Sequence, residues 1–195
     1  MLTDRQLEII QTSIKLISSK GIQGLTMKNL SKEIGISEPA IYRHYDNKIE
    51  ILVSILDYFS STTQTIFFSE MQKEGTSLEK IERIFINHFK AFSETPSLVA
   101  VIFSEEIFRN EPLLSEKVKE IMERNSKVIQ TILEEGMLNG EIDPVYNVQH
   151  LSILIMGSLR LLIKQWQMAD FNFDLQAYGT NFFRTIKQIL NKEKF

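Results

Sequence analysis

From Leu7 to Leu190, apolar side chains recur at steps of three and four residues, in runs that open on a capping residue and close at glycine or proline. That periodicity belongs to amphipathic helices. Thr3 and Gln6 have capping-box spacing ahead of Leu7, Ile10, Ile14 and Ile17, and Gly21 ends this first helix. Thr26 caps a short second helix carrying Met27, Leu30 and Ile34, and Gly35 stops it. Ser37 caps a third, with Pro39 tolerated in its first turn. Asn47 and Glu50 open a fourth helix from about Lys48 to Gln72, with Ile49, Leu52, Val53, Leu56 and Phe59 on one stripe.

The pattern continues without a linker. Thr76 and Glu79 open a fifth helix, with Ile81, Phe85, His88 and Phe92 along one face, that closes near Thr95-Pro96. A sixth is expected from Ser97 to Arg109, and a seventh from Pro112 to about Asn139, with Gly140 as its stop. Asp143-Pro144 predicts the start of an eighth that ends near Met168, and Asp174 the start of a ninth that ends near Asn191. Strand-length alternation is absent, and 8 Gly with 4 Pro in 195 residues leave few turns for a sheet-rich fold. The expectation is an all-α chain.

Composition narrows the chemistry. With 43% hydrophobic and 24% charged residues the chain has enough apolar material for a core. Zero Cys excludes disulfide scaffolds, zinc fingers, iron–sulfur sites and thiol catalysis, and fits a reducing compartment. The longest purely apolar runs, such as Leu98 to Phe103, fall far short of the roughly 20 residues that span a bilayer. Asp4, Arg5, Gln6 and Glu8 interrupt any secretion signal. A cytoplasmic protein without a membrane partner is expected.

Helices two and three, joined by the tight turn Gly35-Ile36-Ser37, form a helix-turn-helix unit with a last helix short enough for a DNA major groove. From Thr26 to Leu52 the string TMKNLSKEIGISEPAIYRHYDNKIEIL resembles the N-terminal DNA-binding domain of the TetR family of bacterial transcription regulators. Tyr45 departs from it, standing where the family usually has Phe. About 50 residues match by motif; the rest agrees in helix count and length.

The resemblance implies a DNA-binding domain over 1–47 and an effector-binding and dimerisation domain of about six helices over 48–195. It implies a homodimer on palindromic double-stranded operator DNA, usually a repressor, released by a small-molecule effector. By motif position Tyr42, His44 and Lys48 touch phosphates, Ser37 opens the recognition helix, and Glu38, Pro39, Ala40 and Arg43 face base edges. Thr26 and Lys28 hold the flanking strand. Charge supports this weakly: residues 1–50 carry 7 basic and 6 acidic side chains in a chain of net charge -3.

The eighth helix is apolar on nearly every side, so one face needs a partner beyond its own core. A second subunit is the simplest candidate, with Leu151, Leu154, Ile155 and Leu162 joined by Tyr178, Phe182, Phe183 and Ile186 of the ninth. Gly157 and Gly179 permit close helix approach. Thirteen Phe is high for the length. Such rings are ordinarily core, but the resemblance adds a cavity among these helices, with Phe59, Phe85, His88, Phe89, Phe92, Phe103 and Glu106 as candidate lining for a mainly apolar effector.

Two rival readings remain. One is an all-helical metal enzyme using His88, His150, Glu105 and Glu106, but no His and carboxylate pair has one-turn spacing. Phosphate loops, nucleophile elbows and dinucleotide fingerprints are also missing, so neither catalysis nor a cofactor is expected. The other keeps the DNA motif and makes the C-terminal part a docking surface for a protein.

Overall fold

The computed structural model describes residues 2–104 and 111–190. Among these it contains nine helices: α1 (Asp4–Gly24), α2 (Met27–Ile34), α3 (Glu38–Tyr42), α4 (Lys48–Met71), α5 (Ser77–Glu94), α6 (Pro96–Ile102), α7 (Pro112–Leu138), α8 (Val148–Met168) and α9 (Leu175–Leu190). The all-α expectation holds. Local capping explains most boundaries. Thr3 with Gln6, and Thr76 with Glu79, form complete capping boxes. The Thr26 hydroxyl accepts from the Asn29 amide (3.1 Å), and the Asn47 side chain accepts from the Glu50 amide (3.1 Å). Gly21 breaks α1 at φ 69°, where the first helix was expected to end, and helical pairing then resumes to Gly24.

Two caps differ from expectation. Ser37 stands at the N-cap of α3, yet its side chain makes no capping hydrogen bond. Pro39 has no N–H to offer, and the Ala40 amide bonds the Ser37 carbonyl instead (2.9 Å). Asp143-Pro144 gives a single turn, with the Asp143 carboxylate accepting from the Val145 amide (3.0 Å). The eighth helix opens later, behind Asn147, whose side chain accepts from the His150 amide (2.9 Å).

The chain divides into two compact units. The first comprises residues 1–61 and 97–119. Ile9, Ile10, Ile14 and Ile17 of α1, Leu30 of α2, Ile41 of α3 and Ile51, Leu52, Ile55 and Leu56 of α4 are buried in it. Lys117 of α7 bridges Asp57 of α4 at 2.7 Å within the same unit.

The second unit comprises residues 62–96 and 120–195. Its densest packing joins α5 to α9, where Phe85 meets Phe183 edge to face (centroids 5.1 Å). Gly179 lies flat against the Phe89 ring, so that a Cβ there would collide with the ring. This glycine serves ordinary core packing. An ion cluster around one buried carboxylate also belongs to this unit: Glu70, 2% exposed, accepts from Lys73 (2.5 Å), Arg83 Nε (2.7 Å) and Asn87 Nδ2 (3.3 Å). Burial alone would raise the Glu70 carboxyl, but these donors and the two cations outweigh it and hold its pKa below the usual range.

Candidate nucleic-acid interface and effector core

The turn between α2 and α3 is built by one residue that accepts a left-handed backbone. Gly35 has φ 80°, and both its amide and that of Ile36 bond back to the Ser31 carbonyl (2.9 and 3.0 Å). Ile41, fully buried, and Leu30 pin the two helices to their core. The opposite side of α3 is thereby left outward.

On that side Ser37, Pro39, Tyr42 and Arg43 are exposed, and Glu38, Ala40, His44 and Lys48 are half-buried. Lys28 is exposed on α2, and Thr26 is exposed beside it, its hydroxyl held by the cap. Among the described residues Lys28, Arg43 and Lys48 enter no salt bridge. Three cations without an internal counter-ion therefore surround a short outward helix. Such a surface suits a polyanion, because phosphates replace water and mobile ions without breaking an existing pair. Tyr45 points the other way: it is 4% exposed, and burial raises its phenol pKa, with the Ser54 side chain alongside opposing the rise.

The aromatic residues divide between the two units. Phe85, His88, Phe89 and Phe92 form one buried face of α5. Phe67 of α4 stands edge to face on His88 (centroids 5.3 Å) and Phe92 lies 6.1 Å from the same imidazole. Phe59, half-buried, and Phe103, 9% exposed, belong to the first unit. Glu106 lies outside the described residues, as does Glu105. His88 Nδ1 lies 3.1 Å from the Ile84 carbonyl. A carbonyl only accepts, so Nδ1 carries the hydrogen. Desolvation lowers the His88 pKa, opposed by that same hydrogen bond, so the ring is neutral and Nε2 keeps a lone pair.

One polar group escaped the sequence reading. Asn125 is 7% exposed on α7, in register with the buried Ile121, Ile129, Ile132 and Leu133. Its place in that stripe was the available signal. Beside it Ser126 Oγ meets Ser152 Oγ of α8 (2.9 Å) and accepts from Gln130 (3.0 Å).

The side chains expected between subunits fall into two sets. Leu154 and Tyr178 are exposed and Phe182 and Ile186 half-buried, whereas Leu151, Ile155, Leu162 and Phe183 are buried against their own chain. Helices α8 and α9 commit that second set to their own core. The outward stripe of α8 is instead Ile153, Leu154, Gly157, Leu161 and Met168, continued on α9 by Tyr178 and Ile189. A Cβ at Gly157 would meet nothing within 4 Å, so the middle of the stripe is flat and open. His150 is exposed and distant in character from the caged His88, and among the described residues no three His, Cys, Asp or Glu cluster as metal ligands. No described helix is long and apolar enough to cross a membrane.

Comparison with known proteins adds the following. A family model described as bacterial regulatory proteins, tetR family, matches residues 9–55, and one described as YsiA-like protein, C-terminal region, matches residues 62–188. The chain is 24% identical over 177 residues to the fatty acid metabolism regulator protein of Bacillus subtilis (strain 168), covering 91% of each. It is 25% identical over 178 residues to the nucleoid occlusion factor SlmA of Vibrio campbellii, covering 90% of each. Its fold is similar to that of the transcriptional regulator FadR from Bacillus subtilis, solved in complex with stearoyl-CoA, with TM-score 0.81, 22% identity, and 97% and 99% of the two chains covered.

Proposed function

This chain belongs to the TetR family of bacterial regulatory proteins, and from that premise we propose a cytoplasmic one-component repressor, without enzymatic activity, that binds a palindromic operator as a homodimer and is released by a small, mainly apolar effector. The observation that carries the DNA reading is the set of unpaired cations Lys28, Arg43 and Lys48 around the outward side of α3. Residues 1–47 form the DNA-binding domain and residues 48–195 the effector and dimerisation domain. Helix α3 of each subunit enters the major groove, and the two half-sites lie about 34 Å or somewhat more apart. Arg43 pairs with guanine, Glu38 accepts from cytosine, and Pro39 and Ala40 lie against base edges. Tyr42, His44 and Lys48 hold phosphates. The Ser37 hydroxyl, which makes no capping hydrogen bond, is available to a phosphate oxygen, and Thr26 and Lys28 reach the flanking strand.

The aromatic face of α5 supports the effector reading, and Phe85, His88, Phe89 and Phe92 are its proposed lining. The relative solved with stearoyl-CoA suggests a long acyl chain as the apolar body. A protein-docking role for the C-terminal domain is the second reading, favoured by the likeness to a nucleoid occlusion factor and by exposed Leu138 at the end of α7 and Val145 beyond it.

Selection on random duplexes tests the main reading. It should return a two-fold symmetric site. Arg43→Ala should relax preference at one base pair per half-site, whereas Lys48→Ala should weaken all sequences alike. Enrichment of only asymmetric sequences would contradict the proposal.

A further inference from the structure

The corner between α8 and α9 is made by two residues that seldom make one. Asp170 and Phe171 both lie in the left-handed region, at φ 49° and 60°, a conformation that favours glycine and in which a bulky aromatic is an outlier. Such backbone persists only where its surroundings over-determine it, and it clusters where a fixed geometry is put to use. Here one residue supplies most of those surroundings. The Trp166 carbonyl accepts from the Phe171 amide (2.9 Å), and its indole stands edge to face on the Phe171 ring (centroids 4.7 Å). The indole N–H then reaches past the corner and donates to the Phe173 carbonyl (2.9 Å). Trp166 itself is buried.

The geometry fixed in this way is passed on to the surface. The Phe173 ring meets the Tyr178 ring at 5.3 Å, and between them Asp174 starts α9, its carbonyl accepting from the Tyr178 amide and its carboxylate from the Ala177 amide (both 3.0 Å). Tyr178 is nonetheless 56% exposed. It belongs to the outward stripe that runs from Ile153 to Met168 on α8 and continues on α9. An exposed aromatic ring already held in place is suited to anchor a protein interface, because it brings a large contact area and has little rotamer freedom left to lose. A glycine corner would let the start of α9 shift, and this ring with it.

We propose that Trp166 is a positioning residue for self-association: through Phe173 it holds Tyr178 on the outward stripe as a preformed anchor for a second copy of this chain. This rests on the homodimer reading above and gives that interface an anchor on α9 and a support behind it. Trp166, being buried, acts only through Phe173 and Tyr178.

Dimer dissociation constants of the full-length protein, from sedimentation equilibrium, test this. Tyr178→Ala should raise the constant about thirtyfold or more. Trp166→Phe keeps a ring against Phe171 and removes the N–H that holds the Phe173 carbonyl; it should raise the constant about tenfold, the scale of one neutral hydrogen bond lost in each subunit. Phe173→Leu leaves that carbonyl in place and removes the ring beside Tyr178. It should act alike, and it keeps the test open if the tryptophan variant unfolds. In a Tyr178→Ala background neither substitution should weaken the dimer further, because the group they position is gone. Equal losses with and without Tyr178, or no loss from either substitution, would reduce Trp166 to ordinary core packing and overturn the inference, while a dimer that Leu154→Asp still breaks leaves the homodimer reading standing. A wild-type chain that stays monomeric at micromolar concentration overturns both.

Discussion

At Tyr45 a phenol ring fills a buried site, and its hydroxyl finds no hydrogen-bond partner of good geometry among the described residues. Removing an unsatisfied buried hydroxyl costs nothing in bonding and relieves desolvation. Tyr45→Phe should therefore leave stability unchanged or raise it by up to about 1 kcal/mol in urea denaturation. A loss above about 2 kcal/mol would show that the Ser54 hydroxyl satisfies it in solution. His88 gives a prediction of opposite character. Its folded-state pKa is lowered by burial, so below an unfolded value of about 6.5 the unfolded chain binds the proton first. Stability is then fully present above that value and is lost as pH falls toward the folded one, at up to about 1.4 kcal/mol per pH unit. His88→Phe should flatten this slope between pH 6.5 and 5. Glu70, with its pKa lowered by Lys73 and Arg83 against the burial that would raise it, acts in the same direction at lower pH. Its contribution fades below the ordinary carboxylate range.

Among the elements, α8 carries the sharpest prediction. Leu154 is 67% exposed while Leu151, one turn earlier, is 5% exposed. Leu154→Asp should leave the melting of the isolated chain nearly unchanged and convert a dimer to monomers in sedimentation velocity. Leu151→Asp should instead unfold the chain, because it buries an unpaired charge. If Leu154→Asp remained dimeric at micromolar concentration, the outward stripe of α8 would not be the interface. This helix also shows where sequence reading stops. The caps at Thr3, Thr26, Asn47 and Thr76 are legible because donor and acceptor lie three residues apart. The face of α8 that turns inward is not, because its apolar residues surround the helix and packing partners outside it, α7 through Ser126 and Ser152 and then α9, decide it. Ser37 misleads for a local reason: the amide three residues on, at Ala40, bonds the Ser37 carbonyl and not its hydroxyl. Asn125 stays hidden among isoleucines because one amide does not break a helical period. The motif from Thr26 to Leu52 is legible as a unit, since turn, recognition helix and flanking cations all fall within 27 consecutive residues.

For the whole molecule, a net charge of -3 means that DNA is held by a local patch and by its doubling across the two-fold, not by a general attraction. Operator affinity should fall steeply and linearly in log–log plots against salt, with a slope of about -0.9 per neutralised phosphate. Lys28→Ala should reduce that slope by roughly one unit per subunit. A salt-independent affinity would remove the phosphate assignments. Effector and operator must also oppose one another equally: a hundredfold loss of DNA affinity needs about 2.7 kcal/mol of coupling, and operator must weaken effector binding by the same factor. Finally, the first turn of α5 is held partly from far along the chain, since the Ser77 amide donates to Glu141, 64 positions later (2.6 Å). Phe183, which covers Phe85, comes 98 positions after it. At about 5–20 residues per second on the ribosome, α5 waits roughly 5–20 s after its own synthesis for that cover. Throughout this interval its aromatic face is open to chaperones and to neighbouring nascent chains, which makes α5 a segment where slow or crowded translation does harm.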